Sequence, residues 1–435
     1  MNKKQGYIVL LFTDLRGLIK GRVVPVSCQK EVCERGIGFD ASSIPGYETI
    51  EKSDKVMRLV EETLSPLPND FYGRPTWIGI CDIYNPDGRE FEGSPRRICK
   101  KSVKKVRRQG YEPTSAVEGE FYLIKEENGK WVPVEHFVGM EQRYFDIDPD
   151  RDLTEKFRME FSDVLTKMGF EIEREQHEVG SAQNEITFKY ADPVKTSDLT
   201  LKYKFVAKKV AHRFGWKATF MPKPWPEKAG SGMHFHVGLK RGGDNAFYDP
   251  KDEYANLSQD GRYFVGGLLY HAKALTAIVA STVNSYKRLV PSFEAPVYIT
   301  WSRQNRSALV RIPKYFSNNL NVRVEFRVPD PLCNPYLAIP CIFEAGLDGI
   351  RKSIDPGNPI DRNVYKLSET ERKKLGIETL PGSLKEALEE WKSDDICVRA
   401  LGKETAEKFY LLKLKEWEES YSRDEVWELQ RYLFA

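Results

Sequence analysis

The chain has 435 residues, 40% of them hydrophobic and 30% charged, with 67 basic against 64 acidic side chains and a formal net charge of +3. That length can build two or three domains with sizeable cores, and the balanced charge excludes the clustered basic face of a nucleic-acid binder. No apolar run approaches the roughly 20 residues that cross a bilayer, and seven scattered cysteines without CxxC spacing predict reduced thiols in a soluble, cytoplasmic protein.

In chain order, residues 6–13 (GYIVLLFT) predict a strand, Asp14–Gly17 a turn and Leu18–Val26 a returning strand. Phe39–Gly46 (FDASSIPG) is rich in turn formers and reads as a loop. Val56–Leu59 and Trp77–Tyr84 are further strands, giving a small β-rich unit that ends near Pro95. Arg96–Arg108 (RRICKKSVKKVRR) places Ile98, Val103 and Val106 at helical spacing, which predicts an amphipathic helix with its basic side in solvent. Ala116–Lys125 (AVEGEFYLIK) reads as a strand, closed by an Asn128-Gly129 hairpin turn. Thr154–Met168 repeats Phe157, Phe161, Val164, Leu165 and Met168 at helical steps. Glu171–Tyr190 holds two strands around a Gly-Ser bend, and Ser197–Phe214 a helix stopped by Gly215. Arg262–Ala280 is almost wholly apolar and predicts one buried helix. Asn321–Val328 predicts a strand and Glu404–Phe434 a helical end.

The chemistry begins at Lys217–Val237 (KATFMPKPWPEKAGSGMHFHV): a strand, a Pro-broken loop, a Gly-Ser-Gly turn and a second strand. His234 and His236 lie two apart on that strand and so share a face. Alone, the pair is equally well read as two half-buried histidines at a sheet edge. Glu118 and Glu120 head one apolar strand, Glu178 and Glu185 flank the Gly-Ser bend, and Glu325 lies with Arg327 on VRVEFRV. Burying like charges side by side is costly unless a cation compensates them. With His234 these make six candidate metal ligands, five of them carboxylates, a set that favours Mg²⁺ or Mn²⁺ over zinc. Arg288, Arg306, Arg311, Arg323 and Arg327 fall near turns or in strands, and guanidinium forks suit carboxylate and phosphate oxygens. Metals with clustered arginines are the equipment of phosphoryl transfer. No GxxxxGK[ST] loop is present, and Gly230 and Gly232 lack the third glycine of a dinucleotide fingerprint.

The motifs FDASSIPG, EGEFYL, QHEVGSAQNE, ATFMPKP with GSGMHFH, NSYKRLVPSFEAP, NRSALVRIP and EFRVPDPLCNPYLA occur in this order along nearly the whole chain. In them the chain resembles the glutamine synthetase family, of the bacterial and archaeal class I type. The resemblance implies an α+β fold, with a β-grasp N-terminal domain over 1–95 and a catalytic domain over 96–435 built on a curved antiparallel sheet flanked by helices. It implies ATP-dependent ligation of ammonia to the γ-carboxylate of glutamate through γ-glutamyl phosphate, with two or more Mg²⁺ or Mn²⁺ ions. It further implies inter-subunit active sites in a homo-oligomer, commonly two stacked hexamers.

Residue by residue, the resemblance implies one metal held by Glu120, Glu178 and Glu185, and a second by Glu118, His234 and Glu325. Arg288 and Arg327, with Gly230, match the glutamate-binding positions. Arg306, Arg311 and Arg323 match those facing ATP and the transferred phosphoryl group, and His236 a histidine at the nucleotide phosphates. Glu294 matches the glutamate of a mobile flap, and Asp40 the ammonium-binding aspartate that a neighbouring subunit supplies. Tyr47 replaces the usual tryptophan near it.

Departures bear on the amine. Ala229 replaces an asparagine before GSGMH, Ser292 a flap glycine, Gln176 the first histidine of HHE, and a phosphate-associated lysine is missing near Leu320. Ala229 is a feature of γ-glutamylpolyamine and other γ-glutamylamide ligases, which keeps an organic amine open as the acceptor, whereas Asp40 and Asp54 keep the ammonium-pocket pattern. A catalytically inactive structural or regulatory family member is a third class, ranked low because all six metal-ligand candidates are present. Tyr365 (NVYKLS) only partly matches the adenylylated loop and reads as an ordinary surface tyrosine.

Overall fold

The computed structural model describes residues 5–135, 143–291, 295–314, 322–421 and 425–435. Among them two sheets organise the chain. The first uses β1 (Tyr7–Thr13), β2 (Ile19–Pro25), β3 (Ile37–Asp40), β4 (Asp54–Leu59), β5 (Ser65–Leu67) and β6 (Thr76–Tyr84), in the order β2-β1-β6-β4-β3 with β5 beside β6. β1 and β2 form the predicted antiparallel hairpin, whereas β1 and β6 run parallel at the centre. Parallel neighbours need a long crossover, and the intervening chain supplies it with helix α1 (Gln29–Glu34) and β3 to β5. This is the implied β-grasp arrangement. The predicted loop from Phe39 is corrected at its start: Ile37–Asp40 pairs antiparallel with β4, and Ile37 and Phe39 pack on the core of this sheet.

The second sheet is built around β7 (Glu112–Glu127), a 16-residue strand. It joins β8 (Lys130–Pro133), β9 (Ile172–His177), β10 (Gln183–Phe188), β11 (Lys217–Thr219), β12 (Met233–Arg241), β13 (Asp244–Asn245), β14 (Trp301–Arg303), β15 (Val310–Ile312) and β16 (Val324–Phe326). Its path is β14-β15-β16-β12-β7-β10-β9, with β11 and β8 also on β7 and β13 on β12. All its pairings are antiparallel except β14 with β15. The predicted strand from Asn321 is shorter, Val324–Phe326, with Asn321 outside the described residues. The Asn128-Gly129 turn has φ of 51° and 74°, the left-handed pair that a two-residue hairpin requires.

Helices cover this sheet: α2 (Pro95–Arg108), α3 (Glu155–Lys167), α4 (Pro193–Arg213), α5 (Gln259–Tyr270), α6 (Ala272–Val279), α7 (Ser285–Arg288) and α8 (Pro335–Lys352). Then follow α9 (Glu369–Lys374), α10 (Leu384–Ser393), α11 (Ile396–Leu401), α12 (Lys403–Tyr421) and α13 (Glu425–Tyr432). The predicted helical end is formed by α12 and α13. The apolar run predicted as a single helix is two, α5 and α6, broken at His271. Its ring nitrogens contact Asp394 at 2.6 Å and Asp348 at 3.0 Å, so a buried polar junction replaces continuous helix. The α5–α8 contact is close because a Cβ at Gly267 would lie 2.1 Å from the Ala345 carbonyl oxygen. The basic side of α2 is exposed as expected at Lys101, Lys104, Lys105, Arg107 and Arg108, but not at its start. Arg96 is held between Asp82 of β6 and Asp198 of α4, and Lys100 bonds Asp82 as well. Arg96 thereby ties α2 to the first sheet and to α4, and Lys100 ties it to the first sheet.

Among the described residues no helix is long and apolar enough to cross a membrane, and all seven cysteines are free thiols.

Candidate active site

Strand register lays the predicted residues side by side. Glu185 of β10 stands opposite Glu120 of β7 and opposite Gln176 of β9. Glu118 of β7 pairs with His234 of β12, His236 with Glu325 of β16, and Glu325 with Arg311 of β15. Because alternate residues share a face, positions scattered over two hundred residues of sequence become neighbours on one surface.

Electrostatics divides these acids into two groups. Burial and neighbouring carboxylates push the first group up: Glu120 to about 7, Glu178 to about 8, and Glu185 well above the ordinary range. For Glu120 the Gly232 N–H and Arg288 partly offset burial. In the second group close partners outweigh burial: contacts with His236 and His234 hold Glu118 well below the usual carboxylate range, and Arg327, His236 and Arg311 hold Glu325 at about 2. Glu325 accepts from Arg311 Nε at 2.5 Å and from an Arg327 terminal nitrogen at 2.7 Å. An acid set whose first group resists ionisation by itself, with oxygen donors and no sulfur, fits hard divalent cations.

The histidines differ in what they can offer. His234 Nδ1 lies 3.7 Å from Glu118 and 3.6 Å from Glu325. Burial and then Arg327 lower its pKa to about 4, so its imidazole is neutral and carries a lone pair. His236 Nδ1 accepts from Arg323 Nε at 3.0 Å. By that partner its proton is assigned to Nε2, which makes Nε2 a donor. Nε2 lies 3.1 Å from Glu118 Oε1 yet is buried without an aligned hydrogen bond. Glu118, His236 and Glu325 have the proximity of a metal triad, with ligand atoms within 4.8 Å of one another. The tautomer nevertheless suits His236 to an anionic oxygen, whereas neutral His234 keeps a lone pair to offer.

On the other flank, Arg288 is buried and donates to the carbonyls of Val328 at 2.8 Å and Arg327 at 3.2 Å. The turn before β12 is shaped to it: a Cβ at Gly230 would meet Arg288 Cγ at 2.8 Å, and one at Gly232 would meet an Arg288 terminal nitrogen at 2.7 Å. Glu120 accepts from Gly232 N at 2.9 Å and Gln183 Nε2 at 3.0 Å, while Gln183 also reaches the Gly230 carbonyl at 3.1 Å. Ala229 presents its carbonyl to the Tyr122 hydroxyl at 2.8 Å.

Two expected residues lie apart from this cluster. Arg306 is exposed, although its charge is felt by Tyr144 together with those of Glu178 and Glu185. Asp40 is exposed at the end of β3, opposite Asp54, and its carboxylate accepts from Ser42 and Ser43, not from any cluster residue. Glu294 and Ser292 lie outside the described residues, as does Leu320.

Sequence reasoning missed Arg174 and Glu135, and gave Gln176 only as a departure from HHE. Arg174 of β9 donates to Glu118 Oε1 at 2.8 Å. Gln176 donates to Glu178 Oε1 at 2.5 Å. Both share the parity of Glu178 in IEREQHE, so a period-two reading of this polar stretch places them on the same face. Glu135 contacts His177 Nε2 at 2.9 Å and accepts from Ala182 N and Leu153 N, tying down the bend that carries Glu178 and Glu185. Glu135, Asp152 and His177 also have metal-like proximity. Here, however, backbone N–H groups and Arg158 already occupy the carboxylates, and no periodicity signals the arrangement.

A β-grasp sheet joined to a curled sheet with a carboxylate–arginine floor defines a class of phosphoryl-transfer proteins without a P-loop. Residues 5–86 match the family description "Glutamine synthetase, beta-Grasp domain" and residues 92–432 match "Glutamine synthetase, catalytic domain". The chain belongs to the glutamine synthetase family. It is 46% identical to a glutamine synthetase of Thermotoga maritima, over 98% of this chain and 96% of that protein. It is 42% identical to one of Pyrococcus furiosus, over 100% and 98%. A solved structure described as "GmaS/ADP complex-Conformation 1" superposes with a TM-score of 0.87 at 30% identity, covering 100% of this chain and 98% of that one.

Proposed function

We propose that this chain is a glutamate–ammonia ligase, which joins ammonia to the γ-carboxylate of glutamate with cleavage of ATP to ADP and phosphate. The observation that carries the reading is that strand register joins Glu118, Glu120, Glu185, Glu325, neutral His234 and Arg311, with Glu178, Arg288, Arg323 and Arg327 set beside them. Full-length relatives at 46% and 42% identity are glutamine synthetases and support the same reading over the organic-amine alternative.

In this reading Glu120, Glu178 and Glu185 would hold one Mg²⁺ or Mn²⁺, and Glu118, His234 and Glu325 a second. Those cations, when bound, neutralise the two anions that must meet. Arg288 and Arg327, with the Gly230 turn, grip the glutamate carboxylate. His236 donates from Nε2 to a phosphate oxygen, with Arg323 fixing its tautomer, and Arg311 and Arg306 take the transferring phosphoryl group. The γ-carboxylate oxygen attacks the terminal phosphorus, ADP leaves, and ammonia then displaces phosphate from the acyl phosphate. Asp40, donated by a neighbouring copy, takes the proton from ammonium, and Glu294 closes the site against water. The organisation that goes with this is residues 1–95 as N-terminal domain, 96–435 as catalytic domain, two stacked hexamers and a cytoplasmic setting.

The test is phosphate release with ATP, Mg²⁺ and glutamate against a panel of ammonium, methylamine and putrescine. Release that depends on ammonium supports the reading. Release with an organic amine alone transfers it to a γ-glutamylamide ligase, and no release with any acceptor overturns it.

A further inference from the structure

Arg174 has no part in the roles given so far. It lies on β9, at one end of the sheet path, and β10 separates it from β7. Its side chain therefore spans a whole strand, from its register partner Thr187, to reach Glu118 Oε1 at 2.8 Å. His236 Nε2 lies 3.1 Å from the same oxygen, and Arg323 holds the far side of that ring. Arg174, His236 and Arg323 thus make a continuous arc of donors along one rim of the site. Arg174 is the member nearest solvent, with its side chain 48% exposed, while Glu118 is 16% exposed.

This arrangement couples two cations to one carboxylate. Arg174 occupies Glu118 Oε1, so a divalent ion that draws on that oxygen competes with the guanidinium, while Oε2 stays available to the ion. A guanidinium displaced from Glu118 stays beside the histidine that faces the phosphates, on a side chain long enough to turn toward them. Guanidinium forks pair with phosphate oxygens at least as well as with carboxylates.

We propose that Arg174 is an additional polyphosphate-binding residue of the nucleotide subsite, held on Glu118 until metal and nucleotide arrive together. The inference rests on the nucleotide reading given above. It predicts that Arg174 opposes metal binding without nucleotide and favours triphosphate binding with it.

The experiment compares the full-length protein with R174Q and R174K, each checked for unchanged thermal unfolding. Binding is measured calorimetrically for a non-hydrolysable ATP analogue and for AMP, both with Mg²⁺. Binding of Mn²⁺ alone is followed by paramagnetic resonance. Expected are a loss of about tenfold for the triphosphate analogue in R174Q, the factor of one charge-assisted contact, less than twofold for AMP, partial recovery in R174K, and tighter Mn²⁺ binding in R174Q. Equal triphosphate affinity in R174Q and the parent overturns the inference. So does a parallel loss for both nucleotides, which marks general loosening, and so does weaker Mn²⁺ binding in R174Q. A parent protein that binds no triphosphate analogue overturns the proposed function itself, and this inference with it.

Discussion

Glu120 and Glu185 stand directly opposite each other on neighbouring antiparallel strands, Glu185 buried and Glu120 half-buried. Like charges in that position destabilise a sheet, so these strands carry an electrostatic load that only a cation or protons relieve.

From this follows a coupled dependence on pH and metal. The folded-state values of Glu120, about 7, and Glu178, about 8, lie above the ordinary unfolded value of ~4.3. The folded chain therefore binds more protons between these limits, and that stability is lost as pH rises through 7 and 8. A divalent cation replaces the protons, and does so better once the acids are ionised. Thermal unfolding after chelation is expected at lower temperature at pH 8 than at pH 6. Excess Mn²⁺ should raise the midpoint more at pH 8, where a concentration a hundredfold over Kd adds about 2.7 kcal/mol of stability. A metal effect independent of pH would contradict this account.

The two glycines of the turn separate substrate from metal. A Cβ at Gly230 presses on Arg288 Cγ and the Pro222 carbonyl, whereas one at Gly232 presses on Arg288 and also on His234 Nε2 at 2.9 Å. Gly230→Ala should raise KM for glutamate about tenfold, roughly 1.4 kcal/mol, and leave Mn²⁺ affinity unchanged. Gly232→Ala should weaken both. Steady-state kinetics alongside metal titration distinguishes the two patterns.

Asp40 gives a test of shared sites. Its carboxylate is turned to Ser42 and Ser43 and away from the cluster. Asp40→Asn and Glu325→Gln chains, each inactive alone, should recover part of the activity when dissociated and reassembled together, because some junctions then combine two intact contributions. A mixture as inactive as its components would place Asp40 outside the reaction.

A second pH effect belongs to the joint between the sheets. Lys202 of α4 donates to the Thr63 carbonyl and to Ser65 Oγ at 3.0 Å, and burial holds its pKa down at about 8. The unfolded value is ~10.4, so the unfolded chain binds more protons in between and stability rises as pH climbs from 8 toward 10. Lys202→Met should flatten that rise in denaturant titrations, with the larger gain in stability at pH 8.

The sequence was most informative where period two and composition coincide. Glu118, Glu120 and the His234–His236 pair sit in apolar strands whose alternation assigns their face, and register does the rest. Arg174 escaped because IEREQH is polar at most positions, so alternation there carries no apolar contrast. The break at His271 escaped for the opposite reason: the segment is apolar on both sides, and the acids that engage the ring, Asp348 and Asp394, come from elsewhere in the chain. The solvent-facing reading of α2 fails only at its start, since charge count alone cannot reveal that Asp82 and Asp198 wait opposite Arg96. In each case the missing information was a long-range partner, which no local window contains.

That Arg96 junction has a thermal consequence. Its guanidinium is 11% exposed, bonded to Asp82 and doubly to Asp198, and Asp198 also accepts from the Tyr336 hydroxyl at 2.6 Å. The cost of stripping water from such ions shrinks as temperature climbs, while burial of apolar surface gains little more. The seam between the first sheet, α2 and α4 should thus strengthen relative to the surrounding packing on heating, and be comparatively slack in the cold.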